Sequence, residues 1–94
     1  MTELRFVWDP VKAQENVINH GIRFEEAQTV FYDDFGVEFY DDRHSDWEDR
    51  FLLLGLSSRL RLLLVCYCHR ESESVIRIIS ARKATRREVQ FYRK

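Results

Sequence analysis

Glycine and proline are almost missing from this chain, with three and one respectively among 94 residues. That scarcity excludes a disordered linker or a low-complexity tail, because nearly every segment carries side chains that pack. The three glycines stand far apart, so no glycine-rich loop is present to cradle a nucleotide phosphate. Long apolar runs are lacking too. The longest, Leu60–Cys68, is broken by Arg61 and falls well short of the roughly 20 residues that cross a bilayer. Met1–Arg5 shows no basic stretch leading into an apolar one, the pattern of a signal peptide. A cytoplasmic chain with no membrane partner is expected.

Cysteine is limited to Cys66 and Cys68, two apart in a strand-like run and therefore on one side of it. Neighbours so placed have poor geometry for a mutual disulfide, and two thiolates alone make no zinc site. Buried free thiols in a reducing compartment are the reading. His20, His44 and His69 are scattered, with no paired-histidine or paired-cysteine spacing, so neither a metal nor a cofactor is expected. No Gly-x-Ser-x-Gly elbow occurs, and Ser57-Ser58 reads as turn chemistry.

What is plentiful is apolar and aromatic bulk: 45% of residues are hydrophobic and 14% aromatic. A chain this short buries only about 60–65% of its unfolded surface, so such a composition is what a single domain over residues 1–94 requires. Charge is nearly balanced overall but not along the chain. Residues 1–49 hold thirteen acidic and four basic side chains, and residues 50–94 hold three acidic and eleven basic ones. Two causes fit: a polyanionic partner for the basic half, or attraction between the halves within the fold.

Leu4–Trp8 reads as a short first strand. Asp9-Pro10 opens a helix with an N-cap and a first-turn proline, and Gly21 closes it, with Val11, Val17 and Ile18 spaced for one buried face. A second helix is expected over Phe24–Phe31, with Arg23 as a weak cap. Gly36–Tyr40 alternates as a strand, and Asp41–Asp49 is an acidic loop. Arg50–Leu56 and Arg61–His69 are strongly apolar strands joined by Ser57–Leu60, and Val75–Ser80 is a β-branched last strand. Thr85-x-x-Glu88 is a capping box for a final helix through Tyr92.

The chemistry-bearing residues left over are cations: Arg50, Arg61, Arg70, Arg77, Arg82, Lys83, Arg86 and Arg87. Arg77 is the informative one. It interrupts Val75-Ile76-x-Ile78-Ile79, where an arginine is costly unless it is paired or faces a cleft. An ion pair with Glu48 or Asp49 and an anion-binding site both remain open. Cleaving RNA without a metal requires an acceptor for the 2′-hydroxyl proton, fixed cations for the phosphorane-like charge, and a proton for the 5′-oxygen. Arginine suits the second task because its planar fork matches phosphate oxygens. Glu48, Asp49, His44, Tyr67, His69 and Lys83 are candidates for the proton work.

Trp8-Asp9-Pro10-x-Lys12, Asn16-x-x-x-His20-Gly21, Phe24-Glu25-Glu26-Ala27, Glu48-Asp49-Arg50-Phe51, Gly55-x-Ser57 and Ile76-Arg77-Ile78-Ile79-Ser80-Ala81-Arg82-Lys83-Ala84 occur in that order. With them nearly the whole chain resembles the BrnT toxins. The resemblance implies an α+β, RelE-like fold: a short first strand, two N-terminal helices, an antiparallel meander of three to four strands and a C-terminal helix. It also implies a metal-independent endoribonuclease that stops translation and is neutralised by a BrnA-type antitoxin. Such antitoxins carry a ribbon-helix-helix DNA-binding part, so RNA is the substrate and DNA is met only through the partner.

Carried onto this sequence, the matching polar positions are Glu48, Arg50, Tyr67, Arg77, Arg82 and Lys83. Arg77 and Arg82 are assigned to the scissile phosphate. Glu48 or Tyr67 takes the 2′-hydroxyl proton, and Lys83 or His44 gives one to the leaving oxygen. His44, Arg50 and Arg86 are assigned to RNA binding, while Asn16 and His20 serve helix-end hydrogen bonding and packing. Arg23 and Asp49 depart from the family pattern without removing a candidate. A non-catalytic binding module that regulates an antitoxin or transcription factor is the alternative. A direct DNA reader fits poorly, since Glu25 and Glu26 lead the second helix and repel phosphates.

Overall fold

The computed structural model describes residues 3–92. The elements run β1 (Arg5–Val7), α1 (Pro10–His20), α2 (Phe24–Ala27), β2 (Val37–Tyr40), β3 (Arg50–Leu56), β4 (Leu62–Arg70), β5 (Ser72–Lys83) and α3 (Arg86–Tyr92). One mixed sheet in the order β1-β5-β4-β3-β2 carries them. Strands β2 to β5 form the antiparallel meander, and β1 adds a parallel edge beside β5 that the sequence did not foretell. With so few glycines available, the hairpin turns are taken by Leu60 and Glu71 at positive φ (62° and 56°).

Helix α1 begins and ends as its sequence dictates. The Asp9 carboxylate accepts the Val11 N–H at 2.9 Å, Pro10 fills the first turn, and Gly21 closes the helix at φ 71° with its N–H on the Val17 carbonyl. Its buried face differs from expectation. Val11, Val17 and Ile18 are 63%, 42% and 75% exposed, whereas Asn16 is buried. Asn16 Nδ2 donates to the carbonyls of Ile22 and Ala81, both at 2.8 Å, and Oδ1 accepts the Ala81 N–H at 3.0 Å. This clamp, two bonds to β5 and one to Ile22 just after the helix, fixes the helix rotation, so small Ala13 meets the core and the branched residues turn outward. His20 is exposed and takes no part in the packing.

The expected Phe24–Phe31 helix splits into α2 and a 3₁₀ turn over Gln28–Tyr32. Thr29 Oγ1 donates to the Glu26 carbonyl at 2.6 Å, a local bond that competes with the α-helical ladder. Arg23 contributes no side-chain cap. The turn presses Val30 onto β3 so closely that a Cβ on Gly55 would lie 2.7 Å from Val30 Cγ1. Only glycine permits that approach.

Helices α1 and α2 and the 3₁₀ turn cover one face of the sheet. Ile22, Phe24, Ala27 and Val30 pack there on Leu63, Val65, Tyr67, Ile76, Ile78 and Ala81. One charge sits in this core. Glu26, 7% exposed, accepts from Ser57 Oγ at 2.7 Å and Arg61 Nε at 3.0 Å, and also pairs with the second guanidinium nitrogen. The bond from Arg61 holds its carboxyl below the ordinary range against the opposing effect of burial. Among the described residues, no helix is long and apolar enough to cross a membrane.

The Asn16 clamp predicts a contrast between neighbours on α1. Asn16→Ala strands one N–H and two carbonyls in the interior and should cost about 2–4 kcal/mol in urea unfolding. Ile18→Ala, two residues on, should stay within about 0.5 kcal/mol.

Candidate active site on the open face

The second face of the sheet is left largely open, and cross-strand register decides what stands on it. Arg50, Cys68 and Arg77 form one row across β3, β4 and β5, with Val7 of β1 beyond. Leu52, Cys66 and Ser80 form the next row, and Leu54, Leu64 and Arg82 the third. Arg77 and Arg82 are five apart, so strict alternation would send them to opposite faces. A bulge prevents this. Between the pairs Tyr67–Ile78 and Cys66–Ser80 the register shifts by one, and Ile79 is the extra residue.

Helix α3 closes one end of this face and stops short of the middle. Thr85 and Glu88 form the expected capping box, with Glu88 Oε1 accepting the Thr85 N–H at 2.8 Å and Thr85 Oγ1 accepting the Glu88 N–H at 3.2 Å. Phe91 meets Phe39 edge-on at 5.7 Å, and the Tyr92 hydroxyl donates to Asp33 Oδ2 at 2.7 Å. Beside the helix lies an open cavity of about 410 Å³. Leu52, Leu64, Cys66 and Ile79 line its floor, and Arg43, His44, Arg50, Arg82, Asp41 and Glu88 its walls. Burial pushes the Cys66 thiol up to about 11, with Asp41 adding to the effect, so the floor carries no thiolate at neutral pH.

Two polar arrangements define the walls. Arg82 is held in a two-pronged ion pair, its guanidinium nitrogens 2.9 and 2.8 Å from the Glu88 oxygens. That pairing draws the Glu88 carboxyl down to about 2 and raises Arg82 further. Opposite, the Asp41 carboxylate lies 3.1 Å from His44 Nδ1, which leaves Nε2 free of that contact. Asp41 is itself fixed. Its N–H donates to the Arg50 carbonyl at 2.9 Å, and its carbonyl accepts Ser45 Oγ at 2.6 Å. The Arg50 N–H in turn donates to Ser45 Oγ at 3.0 Å, so the loop is braced on the start of β3.

The family model for "Ribonuclease toxin, BrnT, of type II toxin-antitoxin system" matches residues 8–88. The chain belongs to the BrnT family. Its fold superposes on the 1.1 Å crystal structure of the Brucella abortus ribonuclease toxin BrnT with a TM-score of 0.65. The two are 21% identical over 88% of this chain and 99% of that one. A search of curated proteins gave no match. Membership makes this chain a type II toxin of the ribonuclease class.

In this BrnT chain the candidate residues divide by face. Arg50, Arg77, Arg82 and His44 stand on the open side, together with Glu48, whose carboxylate pairs with Arg50 at 3.3 Å and Arg70 at 3.9 Å. Arg77 and Arg82 line different cavities of that face. Tyr67 lies on the helix-covered face, 3% exposed, stacked on Phe51 with its hydroxyl donating to Glu38. Lys83 pairs across with Leu63 and shares that covered side. Neither reaches the cavity: strand alternation sets both apart from Arg82 and Arg77. Arg86 opens α3, exposed and outside the cavity walls.

Asp41, Arg43 and Glu88 were missed as site residues. Asp41 and Arg43 fall in a stretch that reads as an acidic loop, and Glu88 is accounted for by its capping box alone. Among the described residues, no three His, Cys, Asp or Glu side chains gather as a metal site.

The Arg82–Glu88 pair gives a pH signature. The Glu88 carboxyl falls from an ordinary 4.5 to about 2 on folding, so its stabilisation is complete above pH 4.5 and lost as pH drops through about 2. Glu88→Gln should cost about 1 kcal/mol at neutral pH, the surface exposure of the pair limiting its worth. In urea titrations the gap between wild type and variant should stay constant down to pH 4.5 and narrow below it.

Proposed function

We propose that the 410 Å³ cavity seats an RNA phosphodiester and that the chain is a metal-independent endoribonuclease. The observation that carries this is His44 held by Asp41 in the same cavity as Arg50 and Arg82. An imidazole fixed through Nδ1 has its tautomer and orientation set, and Nε2 is the atom that moves a proton. Arg50 and Arg82 flank the phosphate, where planar guanidinium groups meet the charge that builds on the equatorial oxygens. The apolar floor beneath them excludes water and strengthens those attractions.

With Tyr67 and Lys83 on the covered face, the proton roles fall to Glu48 and His44. Glu48 takes the 2′-hydroxyl proton as the 2′-oxygen attacks phosphorus. His44 protonates the 5′-oxygen as the P–O5′ bond breaks. The products are a 2′,3′-cyclic phosphate and a 5′-hydroxyl end. Cleavage of messenger or ribosome-associated RNA then halts translation. A BrnA-type ribbon-helix-helix antitoxin neutralises the activity and supplies any contact with DNA.

Purified protein in excess chelator should cut single-stranded RNA to cyclic-phosphate ends. His44→Ala and Arg82→Ala should each lower kcat by about 10²-fold or more while the proteins remain folded. Arg87→Ala, on the exposed side of α3, should stay near wild type. Undiminished cleavage by His44→Ala overturns the acid–base assignment. RNA left intact by wild type, with no growth arrest on expression, favours the non-catalytic binding module.

A further inference from the structure

A second concavity of about 310 Å³ lies at the β1–β5 edge of the open face, lined by Val7, Trp8, Asp9, Arg70 and Arg77. It takes no part in the chemistry proposed above. Its cations stand out by how they are held. Arg82 and Arg50 are each in an ion pair within 3.3 Å, to Glu88 and Glu48 respectively. Arg70 has only a 3.9 Å contact with Glu48 and is half exposed. For Arg77, part-buried in the middle of β5, there is no hydrogen bond or ion pair among the described residues. None of its nitrogens is sealed from water, so its five donors stand open to an incoming acceptor rather than engaged by the protein. Asp9 is the one carboxylate present, and one of its oxygens is committed to the Val11 N–H as the cap of α1.

Trp8 lines the same cavity and is partly buried against the core of the other face. Trp8 packs edge-on against Phe24, ring centroids 5.8 Å apart, so the indole is fixed. Two guanidinium groups beside a fixed indole are the parts that grip a single-stranded nucleotide: cations for its phosphate, a π-face for its base. Arg77 and Arg50 belong to one row with Cys68 between them, which places their backbones about 10 Å apart across two strand spacings. Glu48 sits at the join, touching Arg50 on one side and Arg70 on the other.

We infer that this edge cavity is a second nucleotide site on single-stranded RNA, next to the scissile one, with Arg70 and Arg77 on the phosphate and Trp8 against the base. The inference rests on the ribonuclease reading and extends it from one phosphodiester to a track across the open face.

The test uses a fluorescently labelled 2′-O-methyl tetranucleotide, which lacks the attacking hydroxyl and so reports binding alone. Arg77→Ala should weaken binding about tenfold and reduce the slope of log affinity against log salt by about 0.7, the loss of one phosphate contact. Arg70→Ala, on the exposed rim, should move both in the same direction and guards against misfolding of the first variant. Trp8 and Trp47 are the only tryptophans, so Trp47→Phe leaves Trp8 as sole reporter. Its emission should change as the tetranucleotide saturates Trp47→Phe, and the same change should need about tenfold more tetranucleotide in Trp47→Phe/Arg77→Ala. Unchanged affinity and slope in both arginine variants, or flat Trp8 emission at saturation, overturns the edge site. If Arg82→Ala and His44→Ala still abolish cleavage in that case, the ribonuclease reading stands without it. Wild type that neither binds nor cuts RNA defeats both.

Discussion

In an unbroken strand the side chains at positions 77 and 82 point to opposite faces, because the strand period is two. One would then turn toward the helix-covered core, where the interior carboxylate, Glu26, is already taken by Arg61. The bulge at Ile79 inserts one residue against Cys66 and restores the parity. Downstream of it Ser80 and Arg82 return to the open side, while Ala81 turns inward to take the Asn16 clamp through its backbone. The same extra residue therefore sets three things: the cationic face, the seating of α1, and the line from the edge cavity to the larger one. A deletion that regularised β5 would exchange the two faces beyond it and disturb all three.

The uneven charge of the two halves is answered in part within the fold. Part of it is internal attraction: Glu26 takes Arg61, and Glu48 takes Arg50 and Arg70. Among these the Glu26 carboxylate is buried while Arg61 keeps contact with water, which makes Glu26 a costly group to leave unpartnered and a strong constraint on where α2 meets the β3–β4 hairpin. Of the cations left outside such pairs among the described residues, Lys12, Arg59, Lys83, Arg86 and Arg87 lie elsewhere on the surface, and two stand in cavities of the open face. Arg43 and Arg77 are without ion pairs among the described residues, and both line cavities there. Charge left over in a concavity, rather than spread over the solvated surface, is the form that attracts a polyanion.

Local features were legible because their causes are local. Asp9-Pro10 and Gly21 bound α1, and Thr85 with Glu88 starts α3, each through bonds spanning two to four residues. Alternation along β4 is enough to group Tyr67 with Val65 and His69. Which face that group meets is a matter of register with other strands, and no pattern within β4 states it. The parallel pairing of β1, with Val7 beside Arg77, depends on contacts some seventy residues apart and left no mark nearby. The outward turn of Val11, Val17 and Ile18 shows the same limit. Their spacing fits a buried stripe, yet one asparagine with three backbone partners outranks it. Asp41 reads as one acid among many until the fold sets His44 against it.

The two arginines of the BrnT motif meet an incoming phosphate on unequal terms. Arg82 arrives occupied: one nitrogen serves Glu88 and the Lys83 carbonyl, and the other serves the second Glu88 oxygen. A phosphodiester must share that fork or displace a carboxylate that also caps α3. Arg77 asks for no such exchange, because no carboxylate competes for its donors among the described residues. On the edge site inferred above, a strand of RNA gains its first contact at the edge of the sheet at little cost. It then meets Arg82, where attraction to phosphate is offset by loss of the Glu88 bonds. An electrostatic group that is balanced by its own protein in the resting state stabilises best the species with the most negative charge. In phosphoryl transfer that species is the transition state, not the diester. On the proposed ribonuclease reading, Glu88 does more than hold a helix end: by competing for Arg82 it weakens ground-state binding and leaves the guanidinium to respond to the added charge of the phosphorane.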